Sequence, residues 1–247
     1  VISGTWQTLL SVAGEEQRPC GPWSEVCEYT DDDVHYLEIE QSWTGGIVLQ
    51  RQIMLVRDDR CLLLADAVLT SDESRASETS IQYNSRLPLA PPLDVVPEPE
   101  TRDVFLDDGR RRALVIPLAA SEWQVGPTNA TLTSSQDRNL VLSAKGNGRL
   151  FAPLWLDFQQ RRFKRKRTWR QLTIGDQLRI VGLDEAAGFR VQIGAEQWVV
   201  YRALAEQSCR TVLGKHLNAG FFASRFDPSD GSHDEVVTVD DSEFPDD

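Results

Sequence analysis

The chain has 247 residues, with 38 acidic and 26 basic side chains and a formal net charge of −12 at pH 7. Its 40% hydrophobic and 26% charged residues favour a folded domain over a disordered chain, and this length buries a substantial core without disulfides or a structural metal. The acidic balance argues against a dedicated nucleic-acid-binding protein, which usually has a positive net charge or a dominant basic face.

The ends of the chain suggest a piece of a longer polypeptide. It starts at Val1, without a Met or a leader, so we expect further protein upstream. Residues 1–239 are expected to form a single domain, and residues 240–247 an acidic tail. No apolar run approaches the ~20 residues of a membrane-spanning helix, so no membrane span is expected.

Alternating apolar and polar residues predict β-strands along most of the chain. Five prolines between residues 88 and 99 interrupt this pattern and predict a long connection between sheets, or a division into two subdomains near 88–100. The strands predicted in chain order are 34–40, 47–56, 61–69, 81–87, 104–106, 113–118, 131–133, 140–143, 154–158, 177–181, 188–193, 197–204, 221–226 and 235–239.

These elements predict an all-β fold. No segment has a helical period over ten or more residues, and roughly fifteen strands without intervening helices exclude a βαβ architecture. Open sheets split once they exceed about ten strands. We therefore predict a large antiparallel two-sheet sandwich, supersandwich-like, with little or no helix.

The most distinctive segment runs from Arg161 to Arg170, where seven of ten residues are basic and two are aromatic. Such side chains pair with the carboxylate or sulfate groups of an acidic polysaccharide. Phosphate contacts of a nucleic acid are a second interpretation, and a solvated loop or strand edge protected by like charges is a third. In a fourth, the segment pairs with an acidic surface of the same protein. The predicted polyanion-binding residues are Arg161, Arg162, Lys164, Arg165, Lys166, Arg167, Trp169 and Arg170.

No self-sufficient catalytic motif is present. His35, His216 and His233 lack the spacing of a metal-binding helix and a recognisable nucleophile partner. The cysteines match no zinc signature, and Cys20 and Cys27 flank a turn that is compatible with free thiols or with one disulfide. No cofactor and no metal site are therefore expected.

Four of the tryptophans have contrasting surroundings. Trp155 and Trp198 lie within apolar strand patterns and are predicted to belong to the core. Trp23 and Trp43 lie beside Pro or Gly turns and are expected to line a groove. Apolar sugar faces stack well on indole rings, so such a groove would suit a carbohydrate.

The stretch from Tyr36 to Asp66 contains Trp-Thr-Gly-Gly at 43–46, Gln-Arg-Gln-Ile at 50–53 and, after a short turn, Leu-Leu-Leu-Ala-Asp at 62–66. In the order and spacing of these motifs, the stretch resembles the β-sandwich domain that follows the helical barrel in heparinase II/III-like polysaccharide lyases. The resemblance implies a supersandwich fold, a periplasmic or secreted location and a polysaccharide that contains uronic acids.

The same resemblance bears on chemistry. Lyases of this family tend to carry a histidine in the strand just before the Arg, and some bind zinc through the Asp. Here residues 47–50 contain no histidine, which leaves Asp66 as the remaining metal candidate. The helical domain that supplies Tyr and Asn chemistry in those lyases has no counterpart in these residues.

We therefore expect a non-catalytic or accessory β-sandwich domain of a larger polysaccharide-processing, heparinase II/III-like protein that binds acidic polysaccharide. The isolated chain is not expected to be an enzyme. One alternative is a catalytic participant in polysaccharide lyase or sugar-epimerase chemistry, and another is a protein-interaction domain. The expected partners are an acidic polysaccharide and the remainder of a longer polypeptide, not a nucleic acid or a membrane.

Overall fold

A computed structural model describes residues 1–70, 79–206 and 208–240. Within these residues the regular structure is antiparallel β-strand, apart from short 3-10 turns at Thr44–Gly46 and Gln160–Arg162. The prediction of an all-β antiparallel sandwich is confirmed. Most of the predicted acidic tail at 240–247 lies outside the described residues. No helix in the described ranges is long and apolar enough to cross a membrane.

The strands are numbered in chain order. They are β1 Gln7–Val12, β2 Glu15–Gln17, β3 Ser24–Thr30, β4 Val34–Trp43, β5 Ile47–Val56, β6 Cys61–Thr70, β7 Ser80–Pro88, β8 Asp94–Pro97, β9 Val104–Asp107, β10 Arg111–Pro117, β11 Ala130–Ser134, β12 Asn139–Asn147, β13 Leu150–Asp157, β14 Arg167–Gln171, β15 Gly175–Asp176, β16 Arg179–Ile180, β17 Ala186–Ile193, β18 Glu196–Ala203, β19 Arg210–Val212, β20 Lys215–Leu217, β21 Phe221–Asp227 and β22 Ser232–Val239.

The described strands form four sheets, not the two that the sequence predicts. The central sheet has eight strands in the order β3-β4-β5-β6-β13-β10-β9-β8. The first outer sheet has the order β11-β12-β7-β1-β2, and the second outer sheet has the order β14-β17-β18-β21-β22. A small sheet, β16-β15-β19-β20, completes the set.

The central sheet is covered on both faces because its strands are apolar on both faces. In β6, Leu63 and Ala65 belong to the core beneath the second outer sheet, whereas Leu64 and Val68 belong to the core beneath the first. Every residue of β13 is buried. Since successive side chains of a strand point to opposite faces, such strands need a layer on each side.

Aromatic side chains dominate the core between the central and second outer sheets. The rings of Trp155 and Trp198 lie 5.3 Å apart, and those of Tyr36 and Phe221 lie 4.9 Å apart. The predicted core positions of both tryptophans are therefore confirmed. On the outer face of the second outer sheet, Phe222 belongs to a third apolar cluster that covers the small sheet.

Two segments for which the sequence predicts no strand contain one. The proline-rich stretch at 88–99 includes β8, which pairs with β9 at the edge of the central sheet. Prolines are tolerated there because an edge strand needs partners on one side only. The basic segment ends in β14, an edge strand of the second outer sheet, whose pattern of charged residues gives no strand signal.

A buried ion pair ties the central sheet to the first outer sheet. Arg51 and Asp66 lie directly opposite each other on β5 and β6, and the guanidinium donates to both carboxylate oxygens at 2.8 and 2.9 Å. The same carboxylate accepts from the Tyr83 hydroxyl at 2.7 Å and from Thr8 at 3.0 Å, which belong to β7 and β1. Asp66 thus has four hydrogen bonds and no water-facing surface.

A second buried pair ties the central sheet to the second outer sheet. Arg202 on β18 donates to both oxygens of Glu38 on β4, at 2.8 and 3.1 Å. Glu38 also accepts from the Tyr36 hydroxyl at 2.6 Å and from Gln52 at 3.2 Å. Each face of the central sheet therefore carries one satisfied carboxylate within an apolar layer.

We predict that Asp66→Asn lowers the free energy of unfolding in urea by about 3–5 kcal/mol, because it leaves the buried Arg51 charge without its counter-charge. Asp108→Asn, which breaks the exposed Asp108–Arg112 pair, serves as the matched control and should lower the free energy of unfolding far less, because solvent screens an exposed pair. Equal losses in the two variants would contradict this role for Asp66.

Candidate functional site

The basic segment leaves β13, passes through a 3-10 turn and enters β14. The structure separates its predicted binding residues into two groups. Two are buried, Arg162 and Trp169, and Arg167 is mostly covered. The exposed group consists of Arg161, Lys164, Arg165, Lys166 and Arg170.

Arg162 is surrounded by partners from its own protein. Its guanidinium pairs with Glu196, donates to the Asp59 carbonyl at 2.7 Å and lies 3.4 Å from the Asp157 carboxylate. It also lies over the Trp198 ring, 4.8 Å from the centroid. These contacts neutralise Arg162 inside the fold and leave it no group to offer a ligand.

Trp169 and Arg167 anchor β14 to neighbouring loops. The indole of Trp169 donates to the Ala120 carbonyl at 2.8 Å. Arg167 pairs with Asp103 at 2.5 Å and with Glu98 at 3.0 Å. Arg167 lines the cavity described next, and Trp169 lines a neighbouring cavity.

That cavity lies beside the start of β14 and measures about 770 Å³. We call it the Trp123 groove and define it by six of its lining residues. They are Glu98, Glu100, Glu122, Trp123, Arg165 and Lys166.

Trp123 is presented to solvent by a backbone that is fixed on both sides. It forms a bridge with Thr101, the Glu122 carbonyl accepts from Arg102 at 2.9 Å, and the Gln124 amide donates to the Glu100 carbonyl at 2.8 Å. The side chain is nevertheless 55% exposed. A rigidly held, exposed indole at a cavity offers a flat apolar surface for stacking.

Two cations of the groove are free of ion pairs within the described residues. Arg165 and Lys166 form no ion pair with any carboxylate in the described part of the chain. Glu98 is occupied by Arg167 and Arg111, at 3.0 and 3.1 Å. Glu122 accepts from the Thr168 hydroxyl, which leaves its negative charge in place, and the Glu100 carboxylate has no partner among the described side chains.

Two further cavities follow the groove along β14. A neighbouring cavity of about 570 Å³ shares Glu122 and Trp123 with it and extends to Arg170 and Gln171. A third cavity, also of about 570 Å³, shares Gln171 with the second and reaches Lys145. The three cavities are therefore neighbours in a row beside the edge of the second outer sheet.

The structure places the other candidate aromatic residues elsewhere. Trp43 is 6% exposed and belongs to the core beneath the first outer sheet, so its predicted place in a groove is wrong. Trp23 covers the Arg51 guanidinium at 4.8 Å and does not line the groove. Trp123 was missed because it lies in an irregular segment whose position depends on contacts with residues 100–102.

The histidines, cysteines and Asp66 lie outside the groove. His35, His216 and His233 each lie beside a Thr or Ser hydroxyl of a neighbouring strand. The four cysteines all fall within the described residues and are thiols, so Cys20 and Cys27 form no disulfide. Among the described side chains, no group of three or more His, Cys, Asp or Glu is arranged to hold a metal ion.

Comparisons with known proteins give similarity in fold alone. No protein-family model matches the sequence, and no curated protein matches it. A mutant of the heparan sulfate lyase HepC from Pedobacter heparinus superposes on 81% of this chain with a TM-score of 0.49 and 10% identity. A heparinase III structure superposes on 79% with a TM-score of 0.47 and 10% identity.

This chain spans 30% of the first of those chains and 29% of the second. Another structure, described as the heparinase III gene product BT4657, matches over 79% of this chain with a TM-score of 0.47 and 8% identity. Heparinase structures are therefore among the solved structures to which this chain is similar, as residues 36–66 lead us to expect. These identities are too low to transfer a residue's role.

The buried partner of Arg162 gives a pH prediction. Burial raises the pKa of Asp157 from 3.8 to about 6. Between these values the folded state keeps a proton that the unfolded chain releases, so stability falls as pH rises. The Asp157 contribution is fully present below pH 4 and is lost above pH 6. Relative to Asp157→Asn, wild type should lose about 3 kcal/mol of unfolding free energy between pH 4 and pH 7.

Urea unfolding of both proteins across that pH range measures the difference. Asp108→Asn is the control, because Arg112 lowers the pKa of Asp108. The Asp108 contribution therefore changes mainly below pH 4, and the difference between wild type and Asp108→Asn should stay nearly constant from pH 4 to pH 7. A difference between wild type and Asp157→Asn that stays constant with pH would contradict the prediction.

Proposed function

We propose that this chain is a non-catalytic, accessory β-sandwich domain that binds acidic polysaccharide along the Trp123 groove. It would serve a larger polysaccharide-processing protein, in the periplasm or outside the cell. The observation that carries the proposal is that Arg165 and Lys166, which form no described ion pair, line one cavity together with the exposed indole of Trp123.

Each part of this arrangement matches one feature of an acidic sugar polymer. Guanidinium and ammonium groups form charge-assisted hydrogen bonds with carboxylate and sulfate oxygens. The indole of Trp123 provides a surface for the apolar face of a sugar ring. The row of cavities along β14 suits an extended polymer better than a compact ligand.

The charge of the whole chain shapes how such a polymer would bind. With a net charge of −12, the protein repels a polyanion at a distance. Attraction is therefore local to the groove, and ordinary salt screens it because the cations are exposed. We expect moderate affinity that falls steeply as ionic strength rises.

The lining residues favour binding over catalysis. In the described part of the chain, the three cavities along β14 have no His, Tyr or Cys in their walls. These residue types commonly supply the base or nucleophile in acid–base chemistry near neutral pH. A lyase or epimerase role would have to use a lining carboxylate or lysine, such as Glu100 or Lys166.

We predict that Arg165→Ser with Lys166→Ser raises the Kd for heparin at least about tenfold, because it removes two charge-assisted contacts of roughly 1 kcal/mol each. Arg167 is left intact because Asp103 and Glu98 hold it in the fold. Titration calorimetry at low and moderate salt measures the change.

The matched control is Arg86→Ser with Arg110→Ser, which removes the same two charges from exposed positions outside the groove. Its Kd should stay within about twofold of wild type. Equal weakening in both double variants would show a net-charge effect and overturn the proposed site. Tighter binding of a single-stranded oligonucleotide than of heparin would overturn the choice of ligand, and release of unsaturated uronate product would overturn the non-catalytic role.

A further inference from the structure

Two arginines lie directly opposite each other on the second outer sheet. The register of β14 and β17 pairs Arg170 with Arg190. On either side of this pair, the Leu172 amide donates to the Gly188 carbonyl and the Gly194 amide donates to the Lys166 carbonyl, both at 2.8 Å. These bonds show which opposite residues of the two strands are hydrogen-bonded to each other. Arg170 and Arg190 are therefore a hydrogen-bonded pair, with Cα atoms about 5.5 Å apart.

Both side chains project from the outer face of this sheet. Their neighbours in sequence, Trp169 and Val191, are in the core beneath the sheet, and successive residues alternate between faces. The surrounding positions on the outer face carry no charge. They are Thr168, Leu172, Gly188, Gln192, Gln197, Val199 and Tyr201.

The two positive charges have no counter-charge within the described residues. Neither guanidinium forms an ion pair or a hydrogen bond with a described side chain, and the Nε of Arg190 is buried without a partner. Like charges placed directly across two strands destabilise a sheet. A buried, unpaired N–H group adds a further cost, because it has given up water without gaining an acceptor.

We infer that Arg170 and Arg190 together bind one oxyanion, of the sulfate, phosphate or carboxylate class. Two planar guanidinium forks on adjacent strands can share the oxygens of a single such group. The anion neutralises the repulsion between the charges and supplies an acceptor for the Arg190 Nε. No described carboxylate pairs with either guanidinium, which leaves this role to an external group.

The source of the oxyanion connects this pair to the groove. Lys166, which lines the Trp123 groove, lies on the same face of β14 as Arg170 and about 13 Å away along the strand. A sulfated polymer in the groove could cross the edge at β14 and place one sulfate on the arginine pair. That assignment to a polymer rests on the proposed function, whereas binding of an oxyanion does not.

Thermal unfolding with sodium sulfate, against sodium chloride at equal ionic strength, tests the inference. Wild type should show a saturable rise in Tm of at least about 2 °C in sulfate. Arg170→Gln with Arg190→Gln should lose this rise and should have a higher Tm than wild type in chloride at low salt. Arg86→Gln with Arg110→Gln is the control for the general effect of sulfate on stability, and it should respond as wild type does.

An equal response of wild type and Arg170→Gln/Arg190→Gln to sulfate would overturn the inference. Arg170→Gln alone, at the exposed edge strand, should also lose most of the saturable rise and serves if the double variant does not fold. A full response in that single variant would count against the pair.

A heparin-derived octasaccharide and free phosphate distinguish the two sources. At least a fivefold loss of octasaccharide affinity in Arg170→Gln/Arg190→Gln supports a sulfate of the polymer. If only the response to free sulfate and phosphate is lost, the pair is a site for a free anion. If Arg165→Ser/Lys166→Ser weakens the octasaccharide while the arginine-pair variant changes nothing, the inference fails and the proposed function stands. If the arginine-pair variant weakens the octasaccharide while Arg165→Ser/Lys166→Ser changes nothing, the proposed function of the Trp123 groove fails and the anion site stands.

Discussion

The central sheet cannot expose either of its faces to water, and the rest of the architecture follows from covering them. Leu63 and Leu64, neighbours in β6, enter different cores. Burial of apolar area on both sides supplies most of the driving force for adding two outer sheets. The polar contacts specify the position of each outer sheet on the central sheet, because each buried carboxylate accepts hydrogen bonds only from partners at defined positions. Arg51 and Gln52 show this on one strand, since they hold Asp66 and Glu38 on opposite sides.

This layering decides which surfaces remain for binding. The outer sheets have one face in a core, so only their outer faces and edges meet solvent. On the second outer sheet, the small sheet covers part of the outer face around Phe222. The exposed edge is β14, where the basic segment ends. Arg165, Lys166 and Arg170 are exposed there. Arg162 and Trp169 are buried and donate hydrogen bonds that hold the segment against the rest of the fold.

Sequence pattern predicted the strands whose faces differ or whose apolar runs are long, among them β4, β5, β6 and β18. It could not predict the number of layers, because periodicity shows that a strand is apolar on both faces without showing what covers each one. The resemblance at residues 36–66 indicated the kind of fold but not the sheet order. β8 was hidden by its prolines, which only an edge position tolerates.

The candidate site was only partly predictable for the same reason. Charge density marked the segment from Arg161 to Arg170, yet exposure of each cation depends on distant residues such as Glu196 and Asp103. Trp123 and Arg190 lie outside the segment and reach it through a loop and through strand register. Neither the loop contact nor the strand register can be predicted from the local sequence. Binding sites formed by register and loop contacts are visible only once the sheets are assembled.

Amide hydrogen exchange with and without a saturating heparin-derived octasaccharide tests the central claim most directly, because it maps the bound surface on the whole folded chain without any substitution. The account predicts slower exchange in peptides covering 98–102, 121–124 and 163–171, with little change at the Arg51–Asp66 and Glu38–Arg202 pairs. Protection confined to other surfaces, with these three segments unchanged, would contradict it.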